Sequence, residues 1–76
     1  MIRRLVMEAI ERYNIAINSH DPFSAAMVYR LYKSFTTLYV TAVISQKLYD
    51  DYKVKMMSMV LEIEDKYKKD EMEPYL

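Results

Sequence analysis

Apolar residues recur every three to four positions along most of this chain, and that spacing constrains its fold more than any other feature. The first apolar row comprises Ile2, Leu5, Val6, Ala9, Ile10, Tyr13, Ala16 and Ile17. Positions i, i+3, i+4 and i+7 lie on one side of an α-helix, so this row predicts a helix with one buried side. The alternation of apolar and polar residues that indicates a strand nowhere persists beyond four residues. The sequence therefore predicts an all-α fold.

The strongest break in the periodicity is the segment Ser19-His20-Asp21-Pro22. Pro22 disfavours helical geometry at Asp21, and at the first position of a helix its missing N–H costs nothing. The Asp21 side chain can then cap the helix that follows. We therefore predict a first helix over about residues 2–18, a turn at about 19–21 and a second helix that starts at Pro22.

A second turn is predicted where Ser45 can cap a helix that starts at Gln46. The second helix then covers about residues 22–44 and is apolar on most of its sides, which predicts burial on most sides. The third helix covers about residues 46–69. Pro74 stops any helix in the tail, residues 70–76, which we expect to fray. These boundaries predict a three-helix bundle in a single domain over residues 1–76.

A heptad pattern that runs through Ser45 leaves a second architecture open. Its positions are Leu31, Phe35, Leu38, Ala42, Ser45, Tyr49, Tyr52, Met56, Met59 and Ile63. Neither Gly nor Pro interrupts this pattern, so it also fits a helical hairpin with one C-terminal helix of about 48 residues, which would dimerise as a helical bundle. The β-branched cluster Val40, Thr41, Val43 and Ile44 slightly disfavours an uninterrupted helix. Both architectures are all-α, and both favour self-association.

The residue types that carry enzyme chemistry are scarce. The chain has no Cys, no Gly and one histidine, His20, whose sequence neighbour Asp21 is more simply a helix cap. A zinc site needs three or four ligands, and a phosphate-binding loop needs glycines. The acidic residues near Glu62 alternate with lysines, which is typical of a solvated face. We therefore expect no enzyme activity, no catalytic residues, no metal site and no cofactor.

The balance of charge gives no sign of a nucleic-acid partner. Lys and Arg together number 11, as do Asp and Glu, so the net charge is zero. A basic cluster would still form if the first two helices were antiparallel, and its members would be Arg3, Arg4, Arg12, Arg30 and Lys33. The first turns of the third helix, however, contain Asp50 and Asp51, whose carboxylates would face the phosphates of a bound nucleic acid. A small helical nucleic-acid-binding protein is therefore the alternative interpretation.

Apolar residues make up 53% of the chain, more than a small bundle can easily enclose. A folded chain of this length hides only about 60% of its unfolded surface. The surplus side chains that we predict to form an interface are Met7, Ile15, Tyr29, Val40, Val54 and Met57. The longest uncharged run is shorter than the roughly 20 residues of a membrane span. The sequence therefore predicts a cytoplasmic protein–protein interaction module that binds itself or another protein, and a regulator or inhibitor of a larger partner is one form that such a module takes.

Overall fold

The computed structural model describes residues 2–76, and the segments with apolar periodicity form helices in it, four in all. These are α1 (Ile2–Asn18), α2 (Pro22–Val40), α3 (Gln46–Lys66) and the short α4 (Lys69–Met72), followed by a 3₁₀ turn over Glu73–Tyr75. The three long helices pack against one another in a bundle of 34 × 20 × 19 Å. The predicted all-α bundle is confirmed.

Alanines bring α1 and α2 close together. Ala9 and Ala16 of α1 and Ala25 and Ala26 of α2 are all fully buried. Because alanine has no side chain beyond Cβ, two helices that meet through alanines can approach closely and still fill the space between them.

Larger apolar side chains fill the remaining interior. Val28 and Phe35 of α2 and Met56, Met59 and Ile63 of α3 are almost completely buried. Each such side chain stabilises the fold by roughly 1.5–3 kcal/mol relative to an exposed one. These three residues of α3 define its inner row, which faces the core.

The first turn follows the sequence prediction. Asp21 caps α2: its Oδ1 accepts the Ser24 backbone N–H at 3.2 Å, and its Oδ2 accepts the Ser24 hydroxyl at 2.9 Å. Pro22 occupies the first helical position. The hydroxyl and the N–H of Ser24 hold the pKa of Asp21 below its usual value, because both stabilise the ionised carboxylate.

The second turn comes earlier than predicted. α2 ends at Val40 and not at residue 44, and a turn over residues 41–45 replaces the last predicted helical turn. The Val43 N–H donates to the Leu38 carbonyl at 2.9 Å, and Ala42 takes a left-handed conformation with φ 60°. This is a helix C-cap usually built with glycine, and alanine gives no sequence signal for it. The alternative of one long C-terminal helix is therefore wrong.

The cap predicted for the third helix is confirmed. The Ser45 hydroxyl oxygen accepts the Leu48 backbone N–H at 3.2 Å. Ile44, directly before it, is buried in the core and anchors the turn. The chain therefore turns back at residues 41–45, and α3 returns along α1 and α2.

The C-terminal segment departs most from the prediction. α3 ends at Lys66 and not at residue 69, because the extended backbone of Tyr67 carries its ring into the core, where it is 3% exposed. The predicted fraying of residues 70–76 is wrong. Met72 is also only 3% exposed, and Glu71 accepts the Lys68 backbone N–H at 3.1 Å. Apolar anchorage and this local hydrogen bond hold the segment in place.

Lys66 and Tyr67 fasten this segment to the end of α1. The Lys66 ammonium donates to the carbonyls of Ala16, Ile17 and Ser19 at 2.7–2.9 Å. The Tyr67 hydroxyl donates to the Ala16 carbonyl at 2.8 Å. The last carbonyls of a helix have no partner within the helix and carry partial negative charge, so a cation and a hydroxyl satisfy them well.

Candidate interaction surface

The outer side of α3 carries an exposed apolar row that we call the outer stripe. It consists of Val54, Met57 and Leu61, whose side chains are 73%, 39% and 62% exposed. A helix turns by about 100° per residue, so Val54 and Leu61 point the same way to within about 20°. The inner-row residue Ile63 points about 200° away from Leu61. α3 is therefore apolar on two opposite sides, and only the inner side is covered.

A shallow groove runs beside the outer stripe, between α2 and α3. Its volume is about 210 Å³, and its lining consists of Tyr29, Tyr32, Met57, Val60, Leu61 and Glu64. The Tyr29 hydroxyl donates to Glu64 Oε2 at 3.0 Å and so fixes one wall. This hydrogen bond to the carboxylate, together with burial, raises the pKa of Tyr29. The groove is therefore a mostly apolar trough with aromatic walls.

Three of the six residues predicted for an interface lie around this groove. Val54 and Met57 belong to the outer stripe, and Tyr29 lines the groove. Tyr29 is half-buried and packs against the core, so only part of its side chain is exposed and free to form the predicted interface. The other three lie on different elements. Met7 and Ile15 are exposed on α1, and Val40 is exposed at the end of α2.

Leu61 is the functional candidate that sequence reasoning missed. It follows Met57 by four residues and Val54 by seven, which is the spacing of one helix face. This spacing is visible in the sequence and identifies Leu61 as a member of the same face once α3 is assigned as a helix. Leu61 extends the two predicted residues of α3 into a stripe about two helical turns long.

A larger cleft of about 500 Å³ adjoins the groove and shares Tyr29 and Glu64 with it. Its lining also includes Lys33 and Lys69, with Met72 of α4 on its apolar side. The volume lies in the range of small-molecule sites. The lining, however, is mixed in charge and open to solvent, and the hydroxyl of its buried Tyr67 is already bonded to the Ala16 carbonyl. We treat the cleft as the polar end of the same surface.

A second apolar patch at the first turn is partly covered by the chain itself. Phe23 and Tyr75 meet edge to face, with ring centres 5.6 Å apart. The Arg12 guanidinium lies over the Phe23 ring, 5.4 Å from its centre. Phe23 and Tyr75 remain 42% and 43% exposed, so the chain covers this patch only in part.

The basic residues of the alternative interpretation do not all face solvent. Arg12 donates to the Ser24 hydroxyl at 3.5 Å and lies over the Phe23 ring. The Lys33 ammonium lies 5.7 Å from the centre of the Tyr29 ring. The exposed members are Arg3, Arg4, Arg30 and Lys33. Two of the five cations are thus engaged with side chains of this chain.

His20 has partners that the sequence did not reveal. Its Nε2 lies 2.8 Å from Glu71 Oε2, and its ring stacks on Tyr67 with centres 5.0 Å apart. The Lys68 backbone N–H, and to a smaller extent His20, lower the pKa of Glu71. This pair joins the first turn to α4. It therefore fixes the C-terminal segment, and a structural role accounts for it.

The chain matches no protein-family model, no curated protein and no solved structure. Over residues 2–76, no helix combines the length and the apolar character that crossing a membrane requires. Within the same residues, His, Asp and Glu side chains nowhere gather in a group that could hold a metal ion.

Proposed function

We propose that this chain is a small non-enzymatic protein–protein interaction module that self-associates through the outer stripe of α3. The supporting observation is the row of Val54, Met57 and Leu61, exposed on a well-formed helix beside a groove with aromatic walls. Contiguous exposed apolar side chains rimmed by polar residues are typical of protein-binding sites. Tyrosine and methionine are also enriched at such interfaces. A cytoplasmic location is part of the proposal, and the absence of cysteine from the sequence agrees with it.

The exposed area sets the expected strength of association. Scaled by their exposed fractions, the three side chains of the outer stripe offer roughly 4 kcal/mol per copy on burial. A symmetric dimer gains this twice and loses at least roughly 4 kcal/mol of translational and rotational freedom. The remainder is at most roughly 4 kcal/mol, which corresponds to a Kd of roughly 1 mM at the tightest before contacts in the groove are added. We therefore expect weak and reversible association.

The same surface would serve a larger partner. A protein that presents an apolar helix would cover the outer stripe as a second copy does, and in that role the chain would act as a regulator or inhibitor. The nucleic-acid alternative predicts different behaviour, because binding through released counterions weakens steeply as salt is raised. Association through apolar side chains depends on salt only weakly.

Sedimentation equilibrium on matched variants tests the proposal. The stripe variant combines Val54→Lys with Leu61→Lys, and the control combines Met7→Lys with Val40→Lys, two apolar residues that are equally exposed on other elements. Between about 0.05 and about 2 mM, the wild type and the control should rise from 9.1 kDa towards twice that mass. The stripe variant should stay monomeric. A wild type that stays monomeric, or a control that loses association while the stripe variant keeps it, would overturn the proposal.

A further inference from the structure

We propose that residues 69–76 form a strap that releases from the bundle as one unit while the three long helices stay folded, and that a second copy can place its own strap in the vacated site. The strap comprises α4 and the 3₁₀ turn, and both pack on α2. We call the site that it covers, on α2 and the first turn, the seat. This proposal does not depend on association through the outer stripe.

The chain directly before the strap is firmly fixed to the bundle. The Lys66 ammonium donates to three carbonyls at the end of α1. The buried Tyr67 hydroxyl donates to the Ala16 carbonyl and accepts the Asp21 backbone N–H, each at 2.8 Å. Lys68 follows in an extended conformation, with φ −79° and ψ 150°, and leads into α4. A movement that keeps these hydrogen bonds must therefore pivot at Lys68.

Beyond this pivot the strap is held mainly by Met72, which is buried. Its other contacts are largely open to solvent. The Phe23 and Tyr75 rings that meet edge to face are both exposed, and the side chains of the His20–Glu71 pair are 62% and 33% exposed. An exposed ion pair stabilises little, because water and ions compete for both charges. An element with few buried contacts opens at a smaller free-energy cost than the whole fold.

An open cleft of about 500 Å³ separates one flank of the strap from the bundle. Lys69, Met72 and Leu76 line it from the strap, and residues of α2 and α3 line it from the other side. Elements that pack closely leave few voids larger than a water molecule between them. The strap therefore does not rest on α3 along this flank. Its release breaks contacts with α2 and leaves the packing of α2 on α3 intact.

The occupant of the seat is visible in the structure. Met72 is buried there, Tyr75 meets the Phe23 ring and Glu71 pairs with His20. A second copy carries the same side chains at the same spacing, so its strap can make identical contacts. Exchange of an identical element between copies is a low-cost route to a dimer. A short tether gives the chain's own strap an effective concentration of roughly 1 mM or more, so exchange requires protein at a similar concentration.

Amide hydrogen exchange measured by NMR at low urea concentrations tests the release. The strap probes are the amides of Glu71 and Glu73, which donate to backbone carbonyls, and the bundle probes are those of Met59 and Ile63 in α3. The strap amides should exchange at least about tenfold faster and depend less on urea, because release exposes less surface than unfolding does. The same urea dependence for both sets would overturn the proposal, since the strap would then open only on global unfolding.

Truncation of the anchor distinguishes release of the whole strap from fraying of α4 in place. Met72→Ala should speed exchange of the strap amides at least about tenfold, because it removes most of a buried side chain, while the helix content by circular dichroism stays close to that of wild type. The control, Met57→Ala, truncates an exposed methionine and should change these rates by less than about twofold. Unchanged rates in Met72→Ala, or a collapse of its helix content, would overturn release as an independent unit.

A synthetic peptide of residues 68–76 tests whether the seat accepts a strap from outside. The receptor is the Met72→Ala protein, whose own strap competes less, at about 0.1 mM, where the outer stripe contributes little association. The ¹H–¹⁵N signals of His20 and Phe23 should shift towards their wild-type positions as the peptide is raised to about 5 mM. A control peptide with alanine in place of Met72 and Tyr75 should leave them unchanged. Signals that respond to neither peptide, or equally to both, would overturn the exchange.

Discussion

The two sides of α3 carry the same kind of residue at the same spacing and lie in opposite surroundings. Met56, Met59 and Ile63 of the inner row are buried, while the outer stripe, set three and four residues apart in the same way, faces solvent. The difference lies in the neighbours, because α1 and α2 cover only one side of the helix. An amphipathic helix has one apolar side, and a helix with two of them fits between two partners. We therefore propose the outer stripe as the side that a second chain covers.

The largest expected effect comes from truncation of the inner row. Ile63→Ala should lower the free energy of unfolding by about 2–5 kcal/mol, because it removes buried methyl groups and leaves a cavity. A domain of this size is stable by only about 4–11 kcal/mol, so the variant should be close to unfolding. Urea denaturation followed by circular dichroism measures the loss.

The matched substitution on the outer side is Leu61→Ala. At concentrations where the protein is monomeric, it should change the free energy of unfolding by less than about 0.5 kcal/mol, as surface substitutions usually do. A loss similar to that of Ile63→Ala would mean that the outer stripe already supports the monomer. The comparison between the two sides of α3 would then fail.

The second prediction compares Tyr67, whose ring is buried in the core, with Tyr29, which lines the groove beside the outer stripe. Tyr67→Phe removes the hydroxyl that donates to the Ala16 carbonyl and accepts the Asp21 backbone N–H. The Lys66 ammonium still satisfies the carbonyl, but the N–H loses its acceptor, at a cost of about 1–3 kcal/mol. Tyr29→Phe removes an exposed hydrogen bond to Glu64 and should cost less than about 0.5 kcal/mol. Thermal unfolding of both variants, under the same conditions, gives the difference. Equal losses would show that the Tyr67 hydroxyl does not hold the C-terminal segment.

The third prediction has the smallest expected effect and concerns the stability of the fold in acid. It involves Asp21 on the covered side of the molecule, where the Asp21 N–H donates to the Tyr67 hydroxyl at 2.8 Å. The Ser24 hydroxyl and N–H lower the pKa of Asp21 in the folded protein. The ionised carboxylate therefore stabilises the fold above its unfolded pKa of roughly 4, and this contribution disappears as the pH falls through the lowered folded value. Asp21→Asn keeps a capping oxygen but cannot ionise.

We expect wild type to lose more stability than Asp21→Asn between about pH 5 and about pH 2. Urea midpoints measured at each pH give the two slopes. A residual slope should remain in the variant, because the pKa of Glu71 is lowered as well and contributes in the same sense. Equal slopes in the two proteins would show that the Asp21 carboxylate does not contribute.

The parts of the fold that local chemistry determines were predictable. Pro22 and Asp21 mark the first turn, and Ser45 marks the start of α3, because a cap acts on residues within one helical turn. The end of α2 was not predictable, because Ala42 takes the left-handed conformation that is usually adopted by glycine, and only a glycine would have marked the helix end in the sequence. The candidate surface was found in part, through Val54 and Met57, and Leu61 completes it.

Contacts between distant parts of the chain could not be predicted from sequence. Tyr67 meets Ala16 across 51 positions, and His20 meets Glu71 across a similar distance. Neither contact leaves a periodic pattern, so the tail looked free to fray. Met72 shows the same limit, because a methionine between the acidic residues Glu71 and Glu73 gives no sign of burial.

Two-dimensional ¹H–¹⁵N NMR spectra recorded over a dilution series test most directly that the outer side of α3 is the contact surface. Between about 0.02 and about 2 mM, a range that spans the expected Kd, the signals of Val54, Met57 and Leu61 should shift with concentration. Those of Met59 and Ile63 on the inner row should stay nearly constant. Spectra that do not change over this range, or changes confined to α1, would contradict the account.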